Sequence, residues 1–220
     1  LASRPHYLAY FNQIVGGPAN GWRHLVDSSL DWGQDLGGLK AWLDSHARGE
    51  KIYLSYFGTG DATSEGIRAT AMPTLPEVGP ERKWYALGPG VYALSATMLQ
   101  NVYSKPRGEW ALEAEREFQR LLPLEPLLLA YQNDPGRRAA LLAEAPAENW
   151  QTAWRRFEAL RFARLCHYLR VRRIDAAVGH SILIYRLDAG EIAAATAGSA
   201  QDWQRAIAAA IAQRGITDPR

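Results

Sequence analysis

The feature that most constrains the fold is a helical repeat of leucines between two short apolar runs. The repeat recurs every three or four residues and consists of Leu36, Leu39 and Leu43. It predicts an amphipathic helix over about 32–47. The flanking runs 24–27 and 52–57 are rich in apolar and aromatic residues, which favour strands. A strand, a helix and a strand in close succession predict a βαβ unit with parallel strands.

Further elements extend this pattern along the chain. They are a strand over 91–97, a helix over 110–122, a region broken by prolines, a long helix that ends near Arg170, a hairpin or one bent strand around Gly179, and a terminal helix that stops at Gly215. Ser199 and Asp202 form a predicted capping box for that last helix. The fold class expected is α/β, with a mostly parallel sheet, flanking helices and three-layer Rossmann-like order.

The chain divides into two parts of unequal length. Residues 1–21 combine prolines and glycines with an aromatic run at 7–11 and are interpreted as a membrane-proximal segment. Residues 22–220 are interpreted as a single α/β domain, which is long enough to bury a core without disulfides. The connection 61–90 is predicted to be irregular and to border any site, because long connections are often functional.

Charge and the scarcity of metal ligands exclude several classes of function. The chain has 25 basic and 23 acidic residues, and the basic cluster between Arg155 and Arg173 is interpreted as a solvated helix face, so we expect no nucleic-acid partner. Its five histidines are too dispersed for a zinc site. The single cysteine, Cys166, lies in a helical run and is expected to be a buried, unreactive thiol. We therefore expect neither a metal nor a cofactor.

The stretch 27–35 carries the densest group of polar side chains, between a predicted strand end and a helix start. In parallel α/β sheets ligands bind at the carboxyl ends of strands, so one interpretation is a pocket for a sugar or an anion. The other interpretation is structural, with Asp31 and Gln34 forming a capping box. The candidate binding residues are Asp27, Ser28, Asp31, Trp32, Gln34 and Asp35, together with Thr59 and His180.

No complete catalytic motif is present in the sequence. Gly58-Thr59-Gly60 lacks the third glycine and the following helix of a dinucleotide loop, so it indicates a sharp turn. Gly179-His180-Ser181 lacks the spacing of a nucleophile elbow. We therefore assign no catalytic residue.

Several stretches together form a recognisable pattern. They are Pro5-His6-Tyr7-Leu8-Ala9-Tyr10-Phe11-Asn12, Gly16-Gly17-Pro18, Leu25-Val26-Asp27-Ser28-Ser29-Leu30-Asp31-Trp32-Gly33-Gln34-Asp35-Leu36, Tyr56-Phe57-Gly58-Thr59, Gly90-Val91-Tyr92-Ala93-Leu94-Ser95-Ala96-Thr97 and Val178-Gly179-His180-Ser181-Ile182. This pattern resembles the region after the last membrane span in bacterial membrane glycosyltransferases of the GT-C class. That class includes relatives of protein O-mannosyltransferases and of the aminoarabinose transferase of lipid A. The similarity is sharpest over residues 5–36, and the family often has Tyr where this chain has His180.

The resemblance implies an extracytoplasmic (periplasmic) domain of an enzyme that transfers a sugar from a polyprenyl-phosphate donor. In such enzymes the catalytic carboxylate lies in a loop of the membrane portion, so we expect this chain to be inactive alone. Its expected partners are the membrane portion of the same polypeptide and either a sugar acceptor or the lipid-linked sugar. Its role would be to recognise the acceptor, to cover the active site or to support the membrane portion.

Two other interpretations stay open. One is a carbohydrate- or protein-binding module of another membrane protein, and the other is a stand-alone soluble α/β enzyme that uses the 27–35 loop. The gene upstream of Leu1 discriminates among the three: many apolar spans, a signal peptide alone, or an immediate start codon. The first interpretation further predicts that the aromatic run at 7–11 lies at the edge of the domain, facing the membrane portion.

Overall fold

A computed structural model describes residues 18–24, 26, 30, 32–75, 85–103 and 105–217. The predicted location of the aromatic run at 7–11 therefore lies outside the described residues. The first described element is a short 3-10 helix, Pro18–Arg23. The α-helices and strands are, in chain order, α1 (Leu36–His46), β1 (Ile52–Ser55), β2 (Thr70–Ala71), β3 (Gly90–Ser95), α2 (Ala96–Leu99), α3 (Leu112–Leu121), α4 (Glu125–Asn133), α5 (Pro135–Glu144), α6 (Ala147–Val171), β4 (Ala176–Val178), β5 (Ile182–Leu187), α7 (Ala189–Thr196) and α8 (Ala200–Thr217).

The strands of the described residues form one mixed sheet in the order β2-β1-β3-β5-β4. β1 is parallel to both β2 and β3, whereas β5 is antiparallel to both β3 and β4. The fold is therefore mixed α/β, and the expectation of a mostly parallel sheet is corrected, since only half of the pairings are parallel. A short turn joins β4 to β5, and strands joined in this way must be antiparallel.

The predicted strand at 24–27 is not found in the residues that the structure describes. His24 lies in a turn and Val26 has no regular structure, while Leu25 and Asp27 lie outside the described residues. The prediction of a βαβ unit is therefore wrong. In the sheet, β1 pairs with β2 on one side and with β3 on the other. The residues at 24–27 therefore cannot pair with β1 as the predicted unit requires.

The helix of that unit is confirmed, although it begins later than predicted. α1 starts at Leu36, with Asp35 at its N-cap, rather than near residue 32. Its leucines at 36, 39 and 43 are all buried and pack on one face of the sheet. The residues on that face include Ile52, Leu54, Val91, Ala93 and Ile184.

The opposite face of the sheet carries larger side chains and faces other helices. Successive strand residues point to opposite faces, so Tyr53 and Tyr92 lie on the side away from α1. Their rings stack with centroids 4.3 Å apart. This face packs against Leu165 and Leu169 of α6 and against Trp203 of α8. The central strands β1 and β3 are buried almost throughout and consist largely of apolar residues, as expected of strands that are covered on both faces.

The proline-rich region contains helices that the sequence analysis missed. Pro126 and Pro135 lie in the first turns of α4 and α5. Proline is tolerated there because the first amides of a helix have no partner within the helix. The long helix α6 and the capping box of Ser199 and Asp202 are confirmed, with Ser199 and Asp202 exchanging bonds through their amides and side chains. Within the described residues, no helix has the length and apolar character needed to cross a bilayer.

Candidate functional site

The candidate site lies at the edge of the sheet where several chain ends meet. β1 and β3 are parallel and end here at Ser55 and Ser95, while the antiparallel β5 begins here at Ile182. α1 also starts at this edge, since the Asp35 carboxylate accepts a hydrogen bond from the Ser181 hydroxyl at 2.7 Å. Residues far apart in sequence are thereby brought to one surface, which we call the site edge.

Asp35 is the buried centre of the site edge. Only 6% of the residue is exposed, and its side chain makes no cap bond to the helix that it precedes. Instead its carboxylate accepts from Ser181 Oγ and, at 3.2 Å, from Gln34 Nε2. A negative charge at a helix N-terminus is also favoured by the helix dipole. Asp35 therefore joins α1 to the β4–β5 turn.

The turn between β4 and β5 is shaped to receive this carboxylate. Gly179 and His180 have φ values of 58° and 66°, so both lie in the left-handed region of backbone conformation. A Cβ atom on Gly179 would overlap the carboxylate of Asp35. Glycine is therefore needed at 179 both for its backbone conformation and for close approach. His180 tolerates the left-handed region and remains partly exposed.

A second close approach joins the loop after β1 to the residues before α1. A Cβ on Gly58 would lie 2.7 Å from the Cα of Gly33. The hydroxyl of Tyr56 donates to the carbonyl oxygen of Gly33, and the amide of Phe57 donates to Ser95 Oγ at 2.9 Å. The glycine at 58 thus serves chain packing, and residues 62–66 form a turn rather than a helix. These contacts agree with a sharp turn and not with a dinucleotide loop.

Asp31, the predicted N-cap, lies outside the described residues, and α1 has Asp35 as its N-cap, four residues later than predicted. Gln34 Oε1 accepts from the amide of Trp32 at 2.8 Å, and Gln34 Nε2 donates to the carbonyl of Leu30 at 3.3 Å. These bonds fold the stretch into a turn ahead of the helix. Trp32 is 63% exposed, which contradicts the expectation that a purely structural loop would pack it inside.

The candidate residues separate into buried and exposed groups. Asp35 is buried, His180 is partly buried, and Trp32, Gln34 and Thr59 are exposed. Asp27, Ser28 and Asp31 lie outside the described residues. The contacts of Gly33 with Gly58 and of Asp35 with Gly179 bring the described candidates to the same surface. An indole face beside amide, hydroxyl and imidazole groups offers stacking and hydrogen bonds to a polar ligand.

Other reactive side chains lie away from this surface. Cys166 is buried in α6, and burial raises the pKa of its thiol to about 12, so it is an unreactive thiol as predicted. Among the described residues, no group of three or more His, Cys, Asp or Glu side chains is placed to hold a metal ion.

Sequence reasoning missed Ser181 and Ser95, the two hydroxyls that hold the site edge together. Ser181 is separated from its partner Asp35 by 146 residues, so no local pattern links them. The sequence indicated only the turn that carries Ser181, because Gly179 lies between two apolar runs. No protein-family model, curated protein or solved structure matches this chain. The arguments for function therefore rest on the site edge itself and on the resemblance of its segments.

Proposed function

We propose that this chain is the extracytoplasmic domain of a polyprenyl-phosphate-sugar-dependent membrane glycosyltransferase of the GT-C class. In this proposal the domain is inactive alone and recognises the acceptor or covers the active site. A three-layer Rossmann-like character of the domain stays a prediction. The observation that carries the proposal is the convergence, at one edge of the sheet, of segments that resemble this class.

The convergence joins segments that are distant in sequence. Gly33 of the first segment approaches Gly58 of the second, Phe57 of the second bonds to Ser95 of the third, and Asp35 bonds to Ser181 of the last. The ends of β1 and β3 are neighbours because the two strands pair, whereas Gly33 and Asp35 bring the first segment to them. The contact of these segments supports the interpretation that they form one functional unit.

The chemistry of the exposed residues supports a carbohydrate as the ligand. Trp32 offers a broad apolar face, and sugars bury their C–H faces on such rings. Gln34 and Thr59 are exposed on neighbouring segments and can bond to hydroxyl groups of a sugar ring. Asp35 cannot serve as a freely accessible base, because it is buried and holds Ser181. This division favours recognition by the domain, with the chemistry performed elsewhere.

The exposure of Trp32 also favours the second candidate, a carbohydrate-binding module of another membrane protein. The two candidates differ in what precedes the chain in its gene and in whether sugar transfer depends on the site edge. A glycosyltransferase requires many apolar spans and an acidic first loop upstream of Leu1. A binding module requires only an anchor or a signal peptide, and a stand-alone enzyme requires a start codon there.

The experiment uses the full-length gene product in isolated membranes, supplied with radiolabelled polyprenyl-phosphate sugars. We expect transfer to an endogenous acceptor that falls about fivefold to thirtyfold with Trp32→Ala, because lost stacking and ordering of an acceptor costs about 1–2 kcal/mol. The matched control is Leu142→Ala, since Leu142 is exposed on α5. Unchanged transfer in the Trp32 variant, or turnover by the isolated chain, would contradict the proposal.

A further inference from the structure

An exposed apolar surface extends beyond the candidate binding residues along the site edge. Trp32 is 63% exposed, Tyr103 46% and Val102 37%. The ring of Phe57 stacks on that of Tyr103 with centroids 6.0 Å apart and planes inclined by only 4°. We call these four residues the aromatic edge.

Backbone contacts make the aromatic edge continuous. A Cβ on Gly33, the neighbour of Trp32, would lie 3.1 Å from the carbonyl oxygen of Phe57. Phe57 in turn holds Tyr103 by ring stacking. The backbone next to Trp32 and the ring of Tyr103 therefore both lie against Phe57.

The loop that carries Val102 and Tyr103 is tied to the body of the fold. Asn101 is buried, and its Nδ2 donates to the carbonyl of Pro106 at 2.7 Å. Arg170 of α6 donates to the carbonyls of Gln100 and Gly108, at 3.2 and 2.8 Å. An anchored loop thus presents an aromatic ring that is 46% exposed, and exposed apolar surfaces mark protein or membrane contacts.

Basic side chains border the aromatic edge. Lys105 and Arg107 are exposed in the same anchored loop, where Glu109 is the acidic neighbour. The 3-10 helix that ends at Arg23 lies alongside, because Gln100 Nε2 donates to the carbonyl of Trp22 at 3.1 Å. Within the described residues of this loop, the two basic side chains therefore outnumber the single acidic one, whereas the exposed Asp61 follows the Phe57 end of the edge.

We infer that the aromatic edge docks on the surface of an anionic phospholipid bilayer. Trp and Tyr settle at the headgroup level of a membrane, with the ring in the apolar region and the polar tip in water. Basic residues beside them are attracted to anionic headgroups. Aromatic and basic groups on one anchored edge fit this partner better than an apolar protein groove. The inference does not require sugar transfer, so it stands or falls separately from the proposed function.

The test is co-sedimentation of the purified chain with two kinds of vesicle, one of phosphatidylcholine alone and one with an equal part of phosphatidylglycerol. We expect binding to the anionic vesicles that weakens with added salt. Trp32→Ala and Tyr103→Ala should each lower the partition coefficient about fivefold to tenfold, since each removes most of an aromatic ring from the interface. Leu142→Ala, which removes a side chain that is 42% exposed on α5, should leave it unchanged.

Each alternative result overturns the inference. Absence of binding excludes a lipid partner, equal binding to both vesicles excludes the anionic headgroup, and equal loss in the Leu142 variant excludes the aromatic edge.

Thermal unfolding verifies that every variant is folded. The Lys105→Glu/Arg107→Glu double variant gives a second test that leaves the aromatic residues intact. Vesicle binding by the chain without sugar transfer by the full-length protein would overturn the proposed function alone, and the reverse result would overturn this inference alone.

Discussion

Asp35 and Arg164 are both charged side chains buried in the fold, but their neighbours differ. The Asp35 carboxylate receives hydrogen bonds from uncharged groups, the hydroxyl of Ser181 and the amide of Gln34. The Arg164 guanidinium is paired with a carboxylate, donating from Nε and Nη2 to Glu115 at 2.9 and 3.0 Å. One charge lies beneath an exposed surface, and the other lies among packed helices.

Arg164 also binds the ends of two helices. Its Nη1 donates to the carbonyl of Ala194 at 3.0 Å and its Nη2 to that of Gly198 at 3.1 Å, which satisfies carbonyls at the end of α7. The rings of Phe118 and Trp203 lie over the guanidinium, with centroids 4.7 and 4.5 Å from its carbon. The guanidinium thus joins α3, α6, α7 and α8.

The two charged groups differ in whether exposed side chains surround them. Every donor of Arg164 is used within the fold, and the residue is 0% exposed, so nothing around it faces a ligand. Asp35 is buried as well, yet Trp32 and Thr59 beside it are exposed. We therefore expect substitutions near Arg164 to change stability and those at the surface of the site edge to change binding.

The largest effect is expected for Arg164→Met. It leaves the carboxylate of Glu115 buried without its cation and removes bonds to helix ends, so the free energy of unfolding should fall by about 4 kcal/mol. Urea denaturation measures this loss. Arg155→Met is the control, because Arg155 is exposed on the same helix and should change stability by less than about 0.5 kcal/mol. Equal losses in both variants would contradict the role of the buried cluster.

The next largest effect is expected for Gly179→Ala. Alanine must adopt φ near 58° and its Cβ must displace the carboxylate of Asp35, so we expect a loss of about 3 kcal/mol. Gly49→Ala separates the two causes, since Gly49 has φ of 77° but no atom near its missing Cβ. That control should lose only about 1 kcal/mol. If thermal unfolding gives equal losses, Asp35 is not held tightly against the turn.

The sequence predicted local structure better than it predicted contacts. The leucines of α1 and the Ser199 capping box carry their signal within a few residues, so both were found. The strand proposed at 24–27 was wrong because β2 and β3 occupy both sides of β1, a fact of tertiary structure. α4 and α5 were missed because the sequence alone does not distinguish a proline in the first turn of a helix from a proline that ends one.

The candidate site was predictable only in part, for a similar reason. The polar stretch ahead of α1 was visible in the sequence. No periodicity, however, indicated that it would lie near the segments of Thr59 and His180. The link from Asp35 to Ser181 spans 146 residues and depends on β5 entering the sheet antiparallel to β3. Sequence patterns could therefore name the residues of the site edge but could not say which of them are buried.

A smaller effect, of about 2 kcal/mol, is expected from the pH dependence of the Arg164 region. His167 lies on Trp203, and its Nδ1 accepts from the amide of Trp110 at 3.2 Å. Burial, together with the nearby charge of Arg170, lowers the pKa of His167 from 6.5 to about 4. Above pH 6.5 the ring is neutral in both states and stability is complete. As the pH falls, the unfolded chain binds the proton first, so stability is lost between about pH 6.5 and pH 4.

The measurement is urea denaturation across that pH range, for the wild type and for His167→Gln. Glutamine keeps a hydrogen-bond acceptor but cannot titrate, so the variant should lack the part of the pH dependence that belongs to His167. The full shift in pKa would correspond to about 3 kcal/mol, and the partial exposure of the ring reduces our expectation to about 2 kcal/mol. Parallel pH profiles for the two proteins would show that His167 is not the group responsible.

The smallest effect on stability is expected for Trp32→Ala, and it separates the two regions most clearly. The indole is 63% exposed, so its removal should change the free energy of unfolding by less than about 0.5 kcal/mol.

The effect of Trp32→Ala on ligand binding should be large, by contrast, if the site edge recognises a sugar. NMR titration with a panel of sugars and polyprenyl-phosphate head groups should then shift the indole N–H of Trp32 and the amides near Thr59, and Trp32→Ala should abolish those shifts. His180→Asn supplies the matched control, because asparagine also tolerates the left-handed backbone and leaves the indole in place. Shifts that vanish only in the Trp32 variant would place the ligand on the indole, whereas shifts lost in both would extend the site to the β4–β5 turn. A wild type without any shift would leave Asp35 as a purely structural link, and the contrast with Arg164 would then be one of neighbours and not of function.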